Sequence, residues 1–305
     1  MTRTYLELFF ATMIWGFAFP ATVWTLRSIG PVLTTAVRFT VAVIFLDLIF
    51  RFKLIKNTKA IKYRFKEFLV IFQPGLYLFG MLTLQTWGLK YTSPTRSGFI
   101  TVFYVMIVPF LENFFKGTRF RILVAVWILT ALLGTALICE VVTVTGINHN
   151  FLGAINLGDV LTFFCAICAA AHIMVVDQIL PKVESPLKFH IYQCMWIALF
   201  AGVVSCFTEG FGALSHLSEW PALTWVGMFH LSILSSGIAF LIQIRSQRTI
   251  PPTQLSLLVL LESPWALIFS VWLGMEMLTG LQLTGAALIL AAAISESVTA
   301  ARLAR

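Results

Sequence analysis

Charge is what this sequence has least of. Asp, Glu, Lys and Arg make up 11% of its 305 residues, against about 25% in an ordinary soluble domain. That scarcity excludes a solvated globular surface over most of the chain and places it among integral membrane proteins. Cysteine is sparse too. Cys139, Cys165, Cys168, Cys194 and Cys206 fall in or at the ends of apolar runs, where a thiol serves as a small packing residue. Cys165 and Cys168 spell CxxC, but no second pair follows at metal-binding spacing, which argues against a metal site. HExxH and HxxxH pairs are missing, as is the phosphate-cradling GxxxxGK[ST] loop. These absences count against a metal centre, an intramembrane enzyme and ATP hydrolysis by this chain, and no cofactor is expected. No loop is long enough for a soluble output domain, which argues against a receptor or scaffold. No repeated carbonyl filter or acidic ring suggests a channel. No small-x-small site follows the first apolar run, so that run reads as a retained span, not a cleaved signal.

What is present is apolar. Hydrophobic residues make up 59% of the chain, with 28 Phe and 9 Trp to face lipid and mark its interfaces. A bilayer core takes roughly 20 apolar residues in helical form. Ten candidate spans result: 5–26, 32–51, 67–88, 95–115, 121–140, 157–179, 187–207, 222–244, 253–274 and 279–299. The fold class is therefore all-α, since lipid offers no partner to an open backbone group. The alternating strands of a barrel are absent.

The net charge of +8 does not indicate nucleic acid, because the basic residues cluster in short loops. Arg51, Lys53, Lys56, Lys59, Lys62, Arg64 and Lys66 lie between spans two and three. Lys116, Arg119, Arg121, Lys182, Lys188, Arg245, Arg248, Arg3, Arg302 and Arg305 fall on the same side. The other side holds Arg27, Lys90 and Arg96. Positive charge stays inside, so both termini are expected in the cytoplasm of a multi-pass protein of the cell's inner (plasma) membrane. The basic loop 51–66 is a topology determinant, with lipid head groups as a secondary contact.

The chain also repeats itself. QTWGLKYTSPTR at 85–96 matches QIRSQRTIPPTQ at 243–254, with Lys90 over Arg248 and Pro94 over Pro252. Five spans precede residue 150 and five follow. An odd number of spans inverts the second copy, which is the plan of many secondary transporters with a midplane site between halves. Arg38 in span two then aligns with Gln193 in span seven. Residues 1–140 and 157–305 form the two repeats, and 141–156 forms an external connector.

Several stretches carry a family likeness: IWGFAFP at 14–20, AVRF at 36–39, LKYTSPTRSGFITVFYVMIVP at 89–109, LGDVLTFFCAICAAAH at 157–172 and SGIAFLIQIRSQRTIPPTQLSLLVLLESPWALIFSVWLGME at 236–276. In order and spacing the chain resembles the EamA-type permeases of the drug/metabolite transporter superfamily. The resemblance implies ten helices in two inverted five-helix repeats around a central cavity. It also implies movement of small organic metabolites, often export of amino acids or related solutes, with import or exchange as the alternative direction. The sequence departs from the family at Glu262-Ser263-Pro264, where Glu more often directly precedes Pro. It departs also at Thr118, Cys168 and Arg245.

Ionisable and polar groups inside spans are the candidate site. Arg38 is either a structural partner to a carboxylate or carbonyls, or a counter-charge for a substrate carboxylate, which suits guanidinium. Glu262 is a proton-carrier candidate, because desolvation favours a neutral carboxyl; the alternatives are a polar anchor or a partner for Arg38. Pro264 removes a backbone donor beside it. His172 and His230 read as packing residues or site members. Trp15 and Tyr104 line the cavity or simply pack. Gly16 and Gly98 are expected at close helix approaches. Glu7, Asp47, Glu112, Asp159 and Asp177 sit near span ends and read as structural. The expected partners are a small-molecule metabolite and membrane lipid. Ten helices can enclose a cavity within one chain, so a monomer suffices.

Overall fold

The structure is a computed structural model describing residues 2–52, 64–88, 90–92, 94–117, 121–143, 146–148 and 155–303. The expectations for Lys53, Lys56, Lys59, Lys62, Thr118, Arg119 and Arg305 lie outside the described residues.

The chain is nearly all helix. The first half runs α1 (Thr2–Thr25), α2 (Pro31–Arg51), α3 (Phe65–Val70), α4 (Phe72–Gly88), α5 (Pro94–Thr101), α6 (Tyr104–Lys116) and α7 (Ile122–Ile138). The second runs α8 (Leu157–Ile179), α9 (Pro186–Thr208), α10 (Ala222–Phe229), a π-helical stretch His230–Ala239, α11 (Phe240–Ser246), α12 (Pro252–Val259), α13 (Glu262–Trp272) and α14 (Gly280–Leu303). In the expected connector, β1 (Val142–Thr143) pairs antiparallel with β2 (Gly146–Ile147). Among the described residues, eight helical stretches are long and apolar enough to cross a membrane, and Ile122–Ile138 is apolar but shorter. The expected third span falls on α3 and α4, parted at Ile71.

Packing treats the two halves alike. The contact of α4 with α8 is matched by that of α10 and the π stretch with α1. The contact of α4 with α9 is matched by that of the π stretch with α2. The contacts of α5 and α6 with α8 are matched by those of α12 and α13 with α1. Two pairs, α2 with α9 and α7 with α14, match themselves.

Close crossings need small residues. A Cβ on Gly134 of α7 would stand 2.6 Å from the Gly285 carbonyl oxygen of α14. A Cβ on Gly158 would stand 2.5 Å from the Gly88 carbonyl oxygen. Gly16 lies as expected at a tight crossing, against Trp265 and the Ala266 nitrogen. Gly98 does not: a Cβ there would meet nothing within 4 Å. It faces open space and serves no helix crossing.

Carboxylates tie the halves together at helix starts, where free amides attract negative charge. Glu209, from the second half, accepts from Val32 N at 3.1 Å and Leu33 N at 2.9 Å, closing the start of α2. Glu112, from the first half, accepts from Thr253 N at 3.1 Å and Thr253 Oγ1 at 2.6 Å, closing the start of α12. Asn156 and Asp159 form a capping box on α8. Of the other acidic residues at span ends, Asp177 pairs with Lys116 at 2.8 Å, Glu7 with Arg3, and Asp47 with Arg51.

Candidate functional site

The expected span four is two helices, and so is span nine. Between α5 and α6 the chain turns at Val102 and Phe103; between α12 and α13 it turns at Leu260 and Leu261. At the repeat offset of Pro94 to Pro252 these breaks coincide residue for residue. Each replaces α-helical bonds with tighter ones three residues apart. In the first, Val105 N donates to Val102 O and Met106 N to Phe103 O, both at 3.0 Å. In the second, Ser263 N donates to Leu260 O at 3.0 Å. Pro264 has no N–H to offer that carbonyl, so its ring explains why the second break falls where it does.

Each break ends in a polar residue. Tyr104 opens α6 and Glu262 opens α13, at equivalent positions in the two repeats. Their surroundings differ. Tyr104 is buried, and its hydroxyl donates to Ser256 O of α12 at 3.2 Å. The equivalent partner for Glu262 is Gly98, which faces open space. Glu262 has no hydrogen bond or ion pair among the described residues; its surface is partly accessible, although protein surrounds it. Its electrostatic neighbours are Tyr104 and Cys165. A polar row continues nearby: Gln85 Nε2 donates to Thr101 Oγ1 at 3.2 Å, and Ser97 Oγ lies 3.1 Å from Thr162 Oγ1. The structure thus unites Tyr104 and Glu262. It does not pair Glu262 with Arg38, one of the expected alternatives.

A second polar group surrounds Arg38. Arg38 is buried, and its Nε donates to Ser236 Oγ at 2.7 Å while Nη2 donates to Ser235 Oγ at 3.1 Å. Both serines lie on the π stretch, so its partners are hydroxyls and not the expected carboxylate or carbonyls. A π turn shifts the register of side chains, and such turns occur often at functional sites. His190 Nε2 lies 2.7 Å from Ser236 O, and Cys194 Sγ lies 3.6 Å from that ring nitrogen. His172 Nε2 lies 3.3 Å from Gln193 Oε1. His230 Nε2 lies 2.8 Å from Ile14 O. Both expected histidines are therefore bonded to neighbouring protein groups. Trp15 packs edge-on against Phe240, ring centroids 5.0 Å apart, and its buried Nε1–H has no partner among the described residues. Phe240 also neighbours Phe39 and His190, so Trp15 borders the Arg38 group.

Sequence reasoning missed Ser235, Ser236 and His190. A serine pair in an apolar span is their only trace in the sequence, and nothing local links it to Arg38. Among the described residues, no group of three His, Cys, Asp or Glu is placed to hold a metal. An open cavity of about 750 Å³ lies apart, lined by Arg64, Glu67, Asp177, Lys182, Glu184 and Arg248 among others. It touches none of the six candidates.

Helices that cross a membrane, built as two matching halves with polar groups at mid-helix breaks, define a membrane transporter. The profile of the EamA-like transporter family matches residues 2–139 and 156–295, and the chain belongs to that family. An uncharacterized transporter of Archaeoglobus fulgidus is 27% identical over 300 residues, covering 97% of this chain and 87% of that one. A solved crystal structure aligns with a TM-score of 0.75 at 21% identity, covering 99% of both chains; this is a likeness of fold.

Proposed function

We propose that this transporter moves small organic metabolites, amino acids or related solutes, by alternating access, and that its net direction is outward. The observation that carries this reading is the matched pair of broken helices, with Tyr104 and Glu262 opening their second segments. Interrupted segments at corresponding positions of two repeats are where transporter sites form. In this reading ten spans make two inverted repeats, 1–140 and 157–305, joined by an external connector at 141–156. The termini lie in the cytoplasm and the membrane is the inner (plasma) membrane. The halves rock about Glu262, Tyr104, Trp15 and the Arg38 group.

Glu262 is the proton carrier. A carboxyl without a partner among the described residues, at the edge of accessible space, is free to exchange protons with one side at a time. Tyr104, locked onto Ser256, holds the other break closed. A monomer suffices, because the matched packing encloses the site within one chain.

Counterflow in proteoliposomes tests the reading. Vesicles holding the purified chain are preloaded with a mixed metabolite extract, and exchange is followed by mass spectrometry. Selective exchange of one solute class is expected. No exchange above empty vesicles, from protein shown to be folded and inserted, would overturn it.

A further inference from the structure

Arg38 carries a permanent positive charge, and among the described residues no carboxylate forms an ion pair with it. It is 8% exposed. An uncompensated charge at membrane depth is costly and persists where a cavity or a ligand answers it.

The geometry of the guanidinium shows which part is free. Nε and Nη2 form one edge of the fork, and Ser236 and Ser235 occupy that edge. The other edge, Nη1 with the second Nη2 proton, has no described partner. Nη1 is also absent from the buried polar atoms that lack one, so it touches accessible space. The side edge is therefore fixed and the end edge is presented. Two parallel N–H donors in a plane match the two oxygens of a carboxylate.

The surroundings hold this edge in place. His190 Nε2 and Ser236 O, 2.7 Å apart, tie α9 to the π stretch. The Arg38 guanidinium carbon lies 5.4 Å from the Phe39 ring centroid. On elements that pack against α2 or the π stretch, three buried atoms lack a hydrogen-bond partner among the described residues: Ser232 Oγ on the π stretch itself, Gln193 Nε2 on α9 and Trp15 Nε1 on α1. Gln193 Nε2 and Trp15 Nε1 are donors and Ser232 Oγ can donate, so the unpartnered polar atoms on these elements add donors to those of Arg38.

We propose that the Arg38 end edge binds the carboxylate of the transported solute, and that this chain selects carboxylate-bearing metabolites over those without a carboxylate. The proposal rests on the transporter reading above. Arg38 recognises the anionic head group, while Glu262, at the broken helix, remains free for its proton.

The test uses the full-length protein in proteoliposomes. Counterflow of a mixed metabolite extract is sorted by whether each solute carries a carboxylate. The best-exchanged carboxylate is then set in competition with its own carboxamide. Wild type should exchange carboxylates and prefer the acid over the amide by tenfold or more. Arg38→Gln should remove that preference, and Arg38→Lys, which keeps the charge but not the fork, should recover only part of it. Ser235→Ala/Ser236→Ala should weaken the preference with the charge intact, so the outcome does not depend on one variant folding. Wild-type exchange restricted to solutes without a carboxylate overturns the carboxylate site and leaves the reading of a metabolite transporter standing. An acid preference unchanged in Arg38→Gln, or in the double serine variant, also overturns it. No exchange of any solute by folded protein overturns both.

Discussion

The two broken helices share a backbone and differ in chemistry. At one, Tyr104 reaches across to Ser256 of the opposite repeat and closes the gap. At the other, Glu262 has no bonded partner among the described residues, and Gly98, the counterpart of Ser256, looks into open space. The ends of the same helices differ in the same way. Asp159 at the start of α8 pairs with Arg96 at 2.7 Å and accepts from Thr92 at 2.8 Å. The matching contact in the other repeat is neutral: Gln254 Nε2 donates to Tyr5 Oη at 2.9 Å. Repetition thus supplies the scaffold, and departures from it mark where charge and accessible space are placed. A perfectly symmetric chain would have equal reason to open at either break.

Four substitutions break or sharpen this comparison, from the largest expected effect to the smallest. Gly98→Leu fills the open space at the first-repeat counterpart of Ser256. Because a Cβ there meets nothing within 4 Å, the melting temperature should hold while counterflow falls to the level of empty vesicles. Retained exchange would show that the open space is not part of the route. Asp159→Asn removes one partner of a nearly buried ion pair and should cost about 3 kcal/mol, read as a lower melting temperature in detergent. Gly134→Val drives a side chain into the Gly285 carbonyl and should cost about 2 kcal/mol by overpacking, with the same assay as the check. Tyr5→Phe removes the neutral hydrogen bond that mirrors Arg96–Asp159. It should cost about 1 kcal/mol; a loss as large as that of Asp159→Asn would erase the difference between the two ends.

Much of the scaffold was legible because lipid simplifies the problem. Apolar runs of the right length became helices near their expected bounds. The echo of QTWGLKYTSPTR in QIRSQRTIPPTQ placed Pro94 and Pro252 in register, and both open helices in the structure. The breaks were less legible. Pro264 hinted at the second, but Val102 and Phe103 are ordinary apolar residues, and no Gly or Pro marks the first. The π stretch is equally silent: no Pro or local motif announces it, and it packs against α1 and α2. Arg38 and Glu262 stood out because charge is rare in a span. Their partners did not, because Ser235 and Ser236 lie almost 200 residues from Arg38 and meet it only in the folded chain.

Glu262→Gln tests the central claim most directly, assayed twice in the same proteoliposomes. Exchange of solute across the membrane needs no net proton movement, whereas accumulation driven by a pH gradient does. The account predicts that Glu262→Gln retains counterflow and loses gradient-driven accumulation. Accumulation by folded Glu262→Gln equal to that of wild type would contradict the assignment of the proton to Glu262 and the functional reading of the asymmetry between the two breaks.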